Sequence, residues 1–500
     1  MATGEASAEL PVTAWPTVII ADQVRKGMIT ATEVLEAHLE QVRSQNPTLN
    51  AIVTLAEDKA REQAANIDSS IAAGAVPGPL AGVPFTVKDL IATRGVRSTA
   101  GSLILRDHVP AWGATAVERL CAAGAVLLGK ANCPEFGLAV HTGNRLFGET
   151  LSPLRPDLSP AGSSGGDASA VASGMAAFGI GTDYGGSIRV PAHCTGLAAL
   201  RPTPGLIPGT GQIPFPPWPG PFPPGPAPFA PGPAPFAPGP APVAPGNSLQ
   251  ARLQSIAPIA RRVGDLWPLL QVMAGPDGID ANAVPATLGH PDQVSVADVP
   301  VAWCAGDGSF PVRADLVQAV ESAANVLADL GATVIARRPP GLERAEQVYA
   351  ALRGIEGLPE HRALVTGREA ELTSYARELI YAEPGRPAGS ATLRELTAAA
   401  DDLRAEVAAF MRHWPILLMP VASVPGFPPG AAEFRVGGQV LSGAQMESCC
   451  RAVTLLGAPA VVVRCGSSTE GLPVGVQVVG RPFHDAETVA VAAALERHVE

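Results

Sequence analysis

The chain has 500 residues, and its 46 acidic residues outnumber its 35 lysines and arginines, so the formal net charge is −11. This acidic balance, without a basic block, argues against nucleic acid and anionic membranes as main partners. Hydrophobic residues make up 47% of the chain and charged residues only 16%, a composition that can bury a large core. We find no apolar run of about 18 residues and no signal-peptide pattern, and we therefore expect a cytoplasmic protein without a membrane span.

Cysteine and histidine occur without the spacing of metal ligands. The seven cysteines are an odd number and include no CxxC pair, which favours free thiols in a reducing compartment. The nine histidines are scattered and form no HExxH motif. We therefore expect neither a metal nor a cofactor.

Lysine is rare among the basic residues. Only four of the 35 are lysines, namely Lys26, Lys59, Lys88 and Lys130. Codon bias explains this pattern if the remaining lysines are there by chance. The functional interpretation is that one of them performs a task that arginine cannot, which is to lose its proton.

The first predicted elements are helices. Residues 15–80 are expected to be helical, and Thr30-x-x-Glu33 is the sequence of a capping box. The next segment, 84–91, has the apolar character of a strand and contains Lys88. A solvent-facing lysine of an edge strand and a partly buried lysine are equally compatible with this segment. Burial would favour the neutral amine.

Helices alternate with short apolar strands over the rest of the chain. A helix at 115–123 precedes a strand at 125–130, and further strands are predicted at 332–335, 416–419 and 460–463. Such alternation indicates an α/β protein with a mixed or mainly parallel sheet. Residues 342–413 have the pattern of a helix-rich insertion, which either covers a site or simply packs on the domain.

Residues 214–246 form a proline- and glycine-rich insertion. An apolar residue recurs there every seven positions, at Phe215, Phe222, Phe229, Phe236 and Val243. Proline excludes both helix and central strand, so the segment is predicted to be irregular or polyproline-like. We favour an expanded surface loop over a lid or a peptide-docking segment.

Residues 159–196 contain two glycine-serine turns, at 162–166 and at 185–187, with small residues between them. Glycine allows a close approach of the backbone to a reacting atom. The first turn lacks the lysine of a phosphate-binding loop, and the segment lacks the third glycine of a dinucleotide fingerprint. Nucleotide binding is therefore not expected.

The residues around Ser164 match the Gly-x-Ser-x-Gly nucleophile elbow of Ser-His-Asp hydrolases. That elbow follows a buried strand, whereas residues 154–160 are polar and interrupted by proline. The base in such a hydrolase would be His413, His484 or His498. The missing strand makes this the weaker hypothesis.

Ser187 suggests a different hypothesis. Residues 178–182 predict a short strand and 184–186 a turn, so that Ser187 would stand at the start of a helix with Pro191 in its first turn. Free backbone amides beside such a serine can stabilise an oxyanion. The alternative is that Ser187 is an ordinary N-cap.

The same stretch resembles the amidase signature family. The likeness rests on Gly-Ser-Ser-Gly-Gly at 162–166 and Gly-Thr-Asp-Tyr-Gly-Gly-Ser-Ile-Arg-Val-Pro at 181–191, and Val-Pro-Phe-Thr-Val-Lys-Asp at 83–89 is similar to the family's lysine motif. Further similar segments lie at 132–136, 200–205 and 471–477. This combination, spread over residues 15–490, is far more specific than any single motif.

The resemblance implies a Ser-cisSer-Lys triad. Ser187 would be the nucleophile, Ser163 would follow a cis peptide and pass the proton, and Lys88 would be the general base. The backbone N–H groups that would form the oxyanion hole belong to Tyr184, Gly185, Gly186 and Ser187. An unperturbed lysine is neutral only about 0.04% of the time at pH 7, so the base must be buried or lie beside a positive charge.

Four other residues accompany this predicted site. Asp183 and Arg189 are interpreted as a pair that braces the loop, and Ser164 as a residue that tunes the proton network. Asp167 stands where the family often has a small residue or glutamate. Its place at a helix N-terminus predicts that it points outward.

The implied fold is a single large α/β domain over residues 1–500, with a mixed central β-sheet covered by helices on both faces and a catalytic core at 81–205. The implied activity is hydrolysis of a carboxamide C–N bond in a small molecule through an acyl-Ser187 intermediate. Related esters, carbamates or hydrazides are alternative substrates. A subunit that releases ammonia from glutamine, and a non-catalytic binding protein on the same fold, are alternative functions. The resemblance is also compatible with a homodimer.

Overall fold

The computed structural model describes residues 10–213, 248–382 and 392–499. The insertion predicted at 214–246 lies outside the described residues. None of the helices in the described part has the length and apolar character needed to cross a membrane.

Most strands belong to one large sheet. The strands are β1 (Ile52–Leu55), β2 (Pro84–Lys88), β3 (Val126–Ala131), β4 (Gly143–Asn144), β5 (Gly148–Glu149), β6 (Phe178–Asp183), β7 (Ala198–Arg201), β8 (Ser255–Ala260), β9 (Val301–Trp303), β10 (Val334–Ala336), β11 (Ile416–Pro420), β12 (Glu433–Val436), β13 (Gln439–Ser442), β14 (Ala460–Ser467) and β15 (Pro473–Val479). Eleven of them pair in the order β1-β3-β2-β6-β8-β7-β14-β15-β11-β9-β10. β2 is parallel to β3 and β6, and β9 is parallel to β10 and β11, whereas the other neighbours are antiparallel. The predicted mixed sheet is thus confirmed.

The helices pack around this sheet and are named here in chain order. They are α1 (Thr17–Arg25), α2 (Ala31–Leu49), α3 (Glu57–Ala72), α4 (Thr115–Ala122), α5 (Gly165–Ala172), α6 (Arg189–Thr195), α7 (Leu249–Leu253), α8 (Val263–Met273), α9 (Ala314–Asp329), α10 (Ala345–Glu356), α11 (Pro359–Val365), α12 (Ser374–Tyr381), α13 (Leu393–Met411), α14 (Gly443–Met446), α15 (Ser448–Leu455) and α16 (Asp485–His498). Every residue of β2, β3, β6, β7, β8, β11 and β15 is buried. A strand that is buried along its whole length must be covered on both faces of the sheet. Helices on both faces are what the family resemblance implied.

The N-terminal part differs in one respect from its predicted all-helical form. The capping box is present, because the Thr30 hydroxyl accepts from the backbone N–H of Glu33 and the Glu33 carboxylate accepts from that of Thr30. Between α2 and α3, however, residues 52–55 form the strand β1, which pairs with β3. These residues are Ile-Val-Thr-Leu, and β-branched side chains favour a strand.

Two neighbouring strands position the site. β2 ends at Lys88 and β6 ends at Asp183, and the two strands are parallel, with Val87 opposite Ile180. Their carboxyl ends therefore meet at the same edge of the sheet, which is where α/β proteins commonly bind ligands. The glycine-serine turns lie at this edge, one before α5 and the other between β6 and α6.

Candidate active site

Lys88 is fully buried and is bound by two hydroxyl groups. Its Nζ donates hydrogen bonds to Ser163 Oγ at 2.7 Å and to Thr182 Oγ1 at 2.9 Å. Burial lowers the pKa of Lys88 to about 8, although Cys133 and the carboxylates of Asp167 and Asp183 act in the opposite direction. A lysine in this state can lose its proton near neutral pH.

Ser163 lies in a turn that only glycine allows. The peptide bond between Gly162 and Ser163 is cis. A Cβ atom on Gly162 would lie 2.6 Å from the carbonyl oxygen of His141, so that a side chain has no room there. The Ser163 hydroxyl lies within hydrogen-bond distance of Lys88 Nζ.

Ser187 lies in the turn between β6 and α6. The N-cap of α6 is Ile188, without a side-chain hydrogen bond, so the interpretation of Ser187 as an ordinary N-cap is wrong. Its carbonyl oxygen accepts a hydrogen bond from the backbone N–H of Ser164 at 3.0 Å, which ties the two glycine-serine turns together. Ser187 is half-buried and lines the same cavity as Ser163.

Backbone N–H groups next to Ser187 remain available to a ligand. Those of Tyr184, Gly185 and Ser187 have no hydrogen-bond partner among the described residues, whereas that of Gly186 donates to Asp183 Oδ1 at 3.1 Å. Of the four predicted oxyanion donors, the structure thus leaves three free. Gly186 instead fixes the loop: its φ is +126°, and a Cβ atom there would lie 2.9 Å from that of Cys450.

Asp183 and Arg189 form a fully buried ion pair below this loop. The Arg189 guanidinium donates to both Asp183 carboxylate oxygens at 2.9 Å, and Arg201 Nε lies 3.6 Å from one of them. Burial alone would raise the pKa of Asp183, but the two guanidinium groups lower it to about 2. The carboxylate also accepts from the backbone N–H of Ile188. The pair therefore holds the turn between β6 and α6 in place.

Ser164 does not contact the lysine. Its hydroxyl lies 3.4 Å from both the backbone N–H nitrogen and the carbonyl oxygen of Thr182. A Cβ atom on Gly181 would collide with it, at 2.4 Å from Ser164 Oγ. Ser164 thus fastens the first turn to β6, the strand that carries Thr182.

The prediction that Asp167 points outward is wrong. Its side chain is fully buried, and Oδ1 accepts a hydrogen bond from Thr86 Oγ1 at 2.8 Å. Seven of the eight residues of α5 are buried, so the first turn of that helix has no solvent-facing side at Asp167. Burial raises the pKa of Asp167 to about 7.

Sequence reasoning missed two residues of this region. Thr182 is the second hydrogen-bond partner of Lys88. The sequence feature that could have indicated it is a hydroxyl side chain at the end of a predicted strand. Lys130 is a second buried lysine, whose Nζ donates to Thr93 Oγ1 at 2.8 Å and to the carbonyl oxygen of Ile91. Its contacts lead away from the two serines, and it does not line their cavity.

A cavity of about 490 Å³ opens above Ser163 and Ser187. One group of lining residues is apolar: Leu90, Phe136, Leu138, Val140, Leu358 and Leu379. A second group is polar or charged: Gln250, Gln254, Glu346, Arg353, Glu447 and Arg451. None of His413, His484 and His498 lines this cavity, and α5 follows a loop instead of a buried strand, so the Ser164 elbow has neither a base nor its required context.

The charged part of the cavity wall contacts the turn at residues 184–187. Tyr349 of α10 donates from its hydroxyl to the carbonyl oxygen of Tyr184 at 3.1 Å. Arg451 binds Glu346 at 2.5 Å. Burial raises the pKa of Glu447 to about 8, and a Cβ atom on Gly185 would lie 3.2 Å from its Oε1. The helix-rich segment 342–413 and the segment 444–451 thus both contribute to the site.

The sequence matches the family model described as Amidase over residues 33–223 and 237–489. It is also 30% identical over 501 residues to one of the subunits of the glutamyl-tRNA(Gln) amidotransferase of Heliobacterium modesticaldum. That alignment covers 94% of this chain and 93% of the relative.

Solved structures with the same fold cover almost the whole chain. A bacterial aryl acylamidase of the amidase signature enzymes is 26% identical, with a TM-score of 0.79, over 98% of this chain and 97% of that one. A structure from a vestigial protein complex, described with the evolutionary origins of an s-triazine catabolic enzyme, is 26% identical, with a TM-score of 0.83, over 97% of this chain and 98% of that one. The chain therefore belongs to the amidase signature family, the amide-hydrolysing serine hydrolases with this fold.

Proposed function

We propose that this protein is an amidase that cleaves the C–N bond of a small carboxamide through an acyl-Ser187 intermediate. The observation that carries the proposal is the 2.7 Å hydrogen bond between buried Lys88 and Ser163, in the same cavity as Ser187. Lys88 is the base, Ser163 the proton relay and Ser187 the nucleophile.

The proposed reaction begins with proton transfer. Ser187 Oγ attacks the amide carbon while its proton passes to Ser163, and the Ser163 proton passes to the neutral amine of Lys88. The carbonyl oxygen becomes an oxyanion, which the free N–H groups of Tyr184, Gly185 and Ser187 stabilise. When the C–N bond breaks, the proton returns through Ser163 to the leaving nitrogen. Water then attacks the acyl ester by the same route and releases the carboxylic acid.

The lowered pKa of Lys88 makes this route effective. With a pKa of about 8, roughly a tenth of the lysine is neutral at pH 7. An unperturbed lysine would be neutral about 0.04% of the time. Burial thus raises the population of the active base by a factor of about 200.

The helical segment above the site is proposed to select the substrate. Glu346, Tyr349 and Arg353 of α10 and Tyr375 of α12 line the cavity, together with apolar residues that include Phe136. A substrate with one apolar and one polar part matches this division. This role corresponds to the first of the two alternatives for residues 342–413, a segment that covers the site.

A hydrolysis screen tests the proposed function. Carboxamides, esters, carbamates and hydrazides are offered to the wild type and to Ser187→Ala, and the released acid and amine are measured. We expect amide cleavage by the wild type and none by Ser187→Ala, together with covalent labelling of Ser187 by a fluorophosphonate. A folded wild type that is neither labelled nor active would favour the non-catalytic binding protein.

A second candidate is a subunit that hydrolyses glutamine for an amidotransferase. It is favoured by the 30% identity to the Heliobacterium amidotransferase subunit. Ammonia release from glutamine is measured with the isolated chain and after addition of partner subunits of such an enzyme. Activity that requires the partners supports this candidate, whereas amide turnover by the isolated chain supports the stand-alone amidase.

A further inference from the structure

Asp167 packs against the strand that carries Lys88. Its Oδ1 accepts a hydrogen bond from Thr86 Oγ1 at 2.8 Å. Thr86 and Lys88 are two residues apart in β2, so their side chains leave the same face of the strand. Gly179 of β6 allows this approach, because a Cβ atom there would lie 2.7 Å from that of Asp167. The carboxyl group is thus held on the Lys88 face of the sheet.

The second carboxyl oxygen of Asp167, Oδ2, is buried and has no hydrogen-bond partner among the described residues. A buried carboxylate without enough donors is unfavourable, so its ionised form depends on a nearby positive charge. Burial raises the pKa of Asp167, whereas Thr86, Lys88 and Lys130 lower it.

Several titratable groups surround the helix that carries Asp167. α5 packs against β1, β2, β3, β6, β8 and α6, of which β1 and β8 carry no titratable side chain. The groups on or directly after the other elements are Lys88, Asp89, Lys130, Cys133, Asp183, Tyr184, Arg189, His193 and Cys194. Asp89 accepts hydrogen bonds from Thr99, and its charge acts on Lys130. Burial favours the neutral forms of Cys133, His193 and Cys194.

Of the two lysines that stabilise the ionised form of Asp167, Lys88 lies on the same face of the sheet. Asp183 and Arg189 neutralise one another in their buried pair. Lys130 stands opposite Val87 in the parallel pairing of β2 and β3, which places it on the other face of the sheet from Lys88. The hydrogen-bond partners of Lys88 itself are two neutral hydroxyl groups.

We propose that Asp167 is a positioning residue that controls the protonation of the base, because the charge of its carboxyl group is coupled to that of Lys88. When the carboxyl group is ionised, it stabilises the ammonium form of Lys88 and lowers the fraction of neutral amine that can accept a proton from Ser163. When the carboxyl group is neutral, that fraction is larger at the same pH. This inference rests on the proposed role of Lys88 as base. It assigns the pH dependence of the activity to Asp167 and Lys88 together and not to the lysine alone.

The scarcity of lysine makes a direct test feasible. The chain contains only four lysines, so that lysine labelled with ¹³C and ¹⁵N gives four side-chain signals, and Lys88→Arg identifies that of Lys88. In Asp167→Asn, which keeps the size and an acceptor for Thr86, we expect the titration of Lys88 to move down by about one pKa unit. The acid limb of the pH profile of kcat/KM should move to lower pH by a similar amount.

Asp265 provides a matched control. It is also buried in the first turn of a helix, with one oxygen bound to a backbone N–H and an Oδ2 that has no partner among the described residues. Asp265→Asn should leave the Lys88 titration and the pH profile unchanged. If Asp167→Asn does not fold, Asp167→Ser removes the same charge with a smaller side chain.

The outcomes separate the two proposals. A folded Asp167→Asn variant whose Lys88 titration is unchanged, or moves upward, overturns the role of Asp167, whatever the activity. If the Lys88 titration moves down but the wild type cleaves no amide, the role of Asp167 stands and the proposed function fails. A shift of equal size in Asp265→Asn would also overturn the inference, because it would show that any buried charge has this effect.

Discussion

Lys88 Nζ lies 2.7 Å from Ser163 Oγ, although 75 residues separate them in the chain. Ser163 stands just before α5, and α5 packs against β2, the strand that ends at Lys88. A buried amine that is bound only by hydroxyl groups is well placed to become neutral and accept a proton. The contact therefore joins the proposed base to the proposed relay.

Replacing Lys88 by arginine should abolish turnover. Arginine keeps the positive charge but cannot lose its proton at ordinary pH, so we expect kcat to fall by about 10³-fold or more. Lys26→Arg is the control, because Lys26 is exposed and forms an ion pair with Asp22. Circular dichroism establishes that both variants fold. Near-normal activity of Lys88→Arg would contradict the assignment of the base.

Activity should rise with pH up to about pH 8. Below the pKa of Lys88, which is about 8, the ammonium form predominates, and each pH unit of acidification lowers the neutral fraction by about tenfold. The pH dependence of kcat/KM in the free enzyme measures this limb. An acid limb centred near pH 5 would instead indicate a carboxylate as the essential base.

A side chain at Gly186 should disturb the oxyanion loop. In Gly186→Ala, the new Cβ atom would lie 2.9 Å from that of Cys450 at a φ of +126°. We expect the loop to shift and kcat to fall by about 10²-fold, as for the loss of one oxyanion donor. Gly264→Ala is the control, since a Cβ atom there meets nothing within 4 Å. Equal kcat values for both variants would show that the loop geometry is not critical.

Breaking the buried ion pair should destabilise the fold strongly. Asp183→Asn leaves the Arg189 guanidinium buried without its counter-charge, which typically costs about 3–5 kcal/mol in the free energy of unfolding. The comparison is Asp157→Asn, which breaks an exposed pair with Arg155 and should change the free energy of unfolding very little. Urea unfolding measures both values. A similar small loss in both variants would mean that Arg189 finds other partners.

Local patterns predicted the elements that carry the site. The strand 178–182 was expected from its apolar residues and is observed as β6, and the capping box of Thr30 and Glu33 is present. The strand β1 was missed because its four residues lie between two strongly helical segments, and pairing with β3 decides their conformation. Short apolar runs of this kind are ambiguous until their partner is known.

The orientation of individual side chains was less predictable. Asp167 was expected at the surface from its place in a helix, but the whole first turn of α5 is buried against β2 and β6. Its contact with Thr86 spans 81 residues of sequence. Thr182 and Lys130 likewise acquire their contacts only from residues distant in sequence.

The sequence by itself determined the identity of Lys88, Ser163 and Ser187 as candidate residues, because each belongs to a motif of adjacent residues. It also determined the alternation of helices and strands, which depends on local propensity and hydrophobic spacing. Only the tertiary structure decided which of the two buried lysines contacts Ser163, that Asp167 lies on the same face of the sheet as Lys88, and which amides remain free beside Ser187. Burial, pKa and unpaired hydrogen-bonding groups depend on residues distant in sequence, and these properties determine what the site can do.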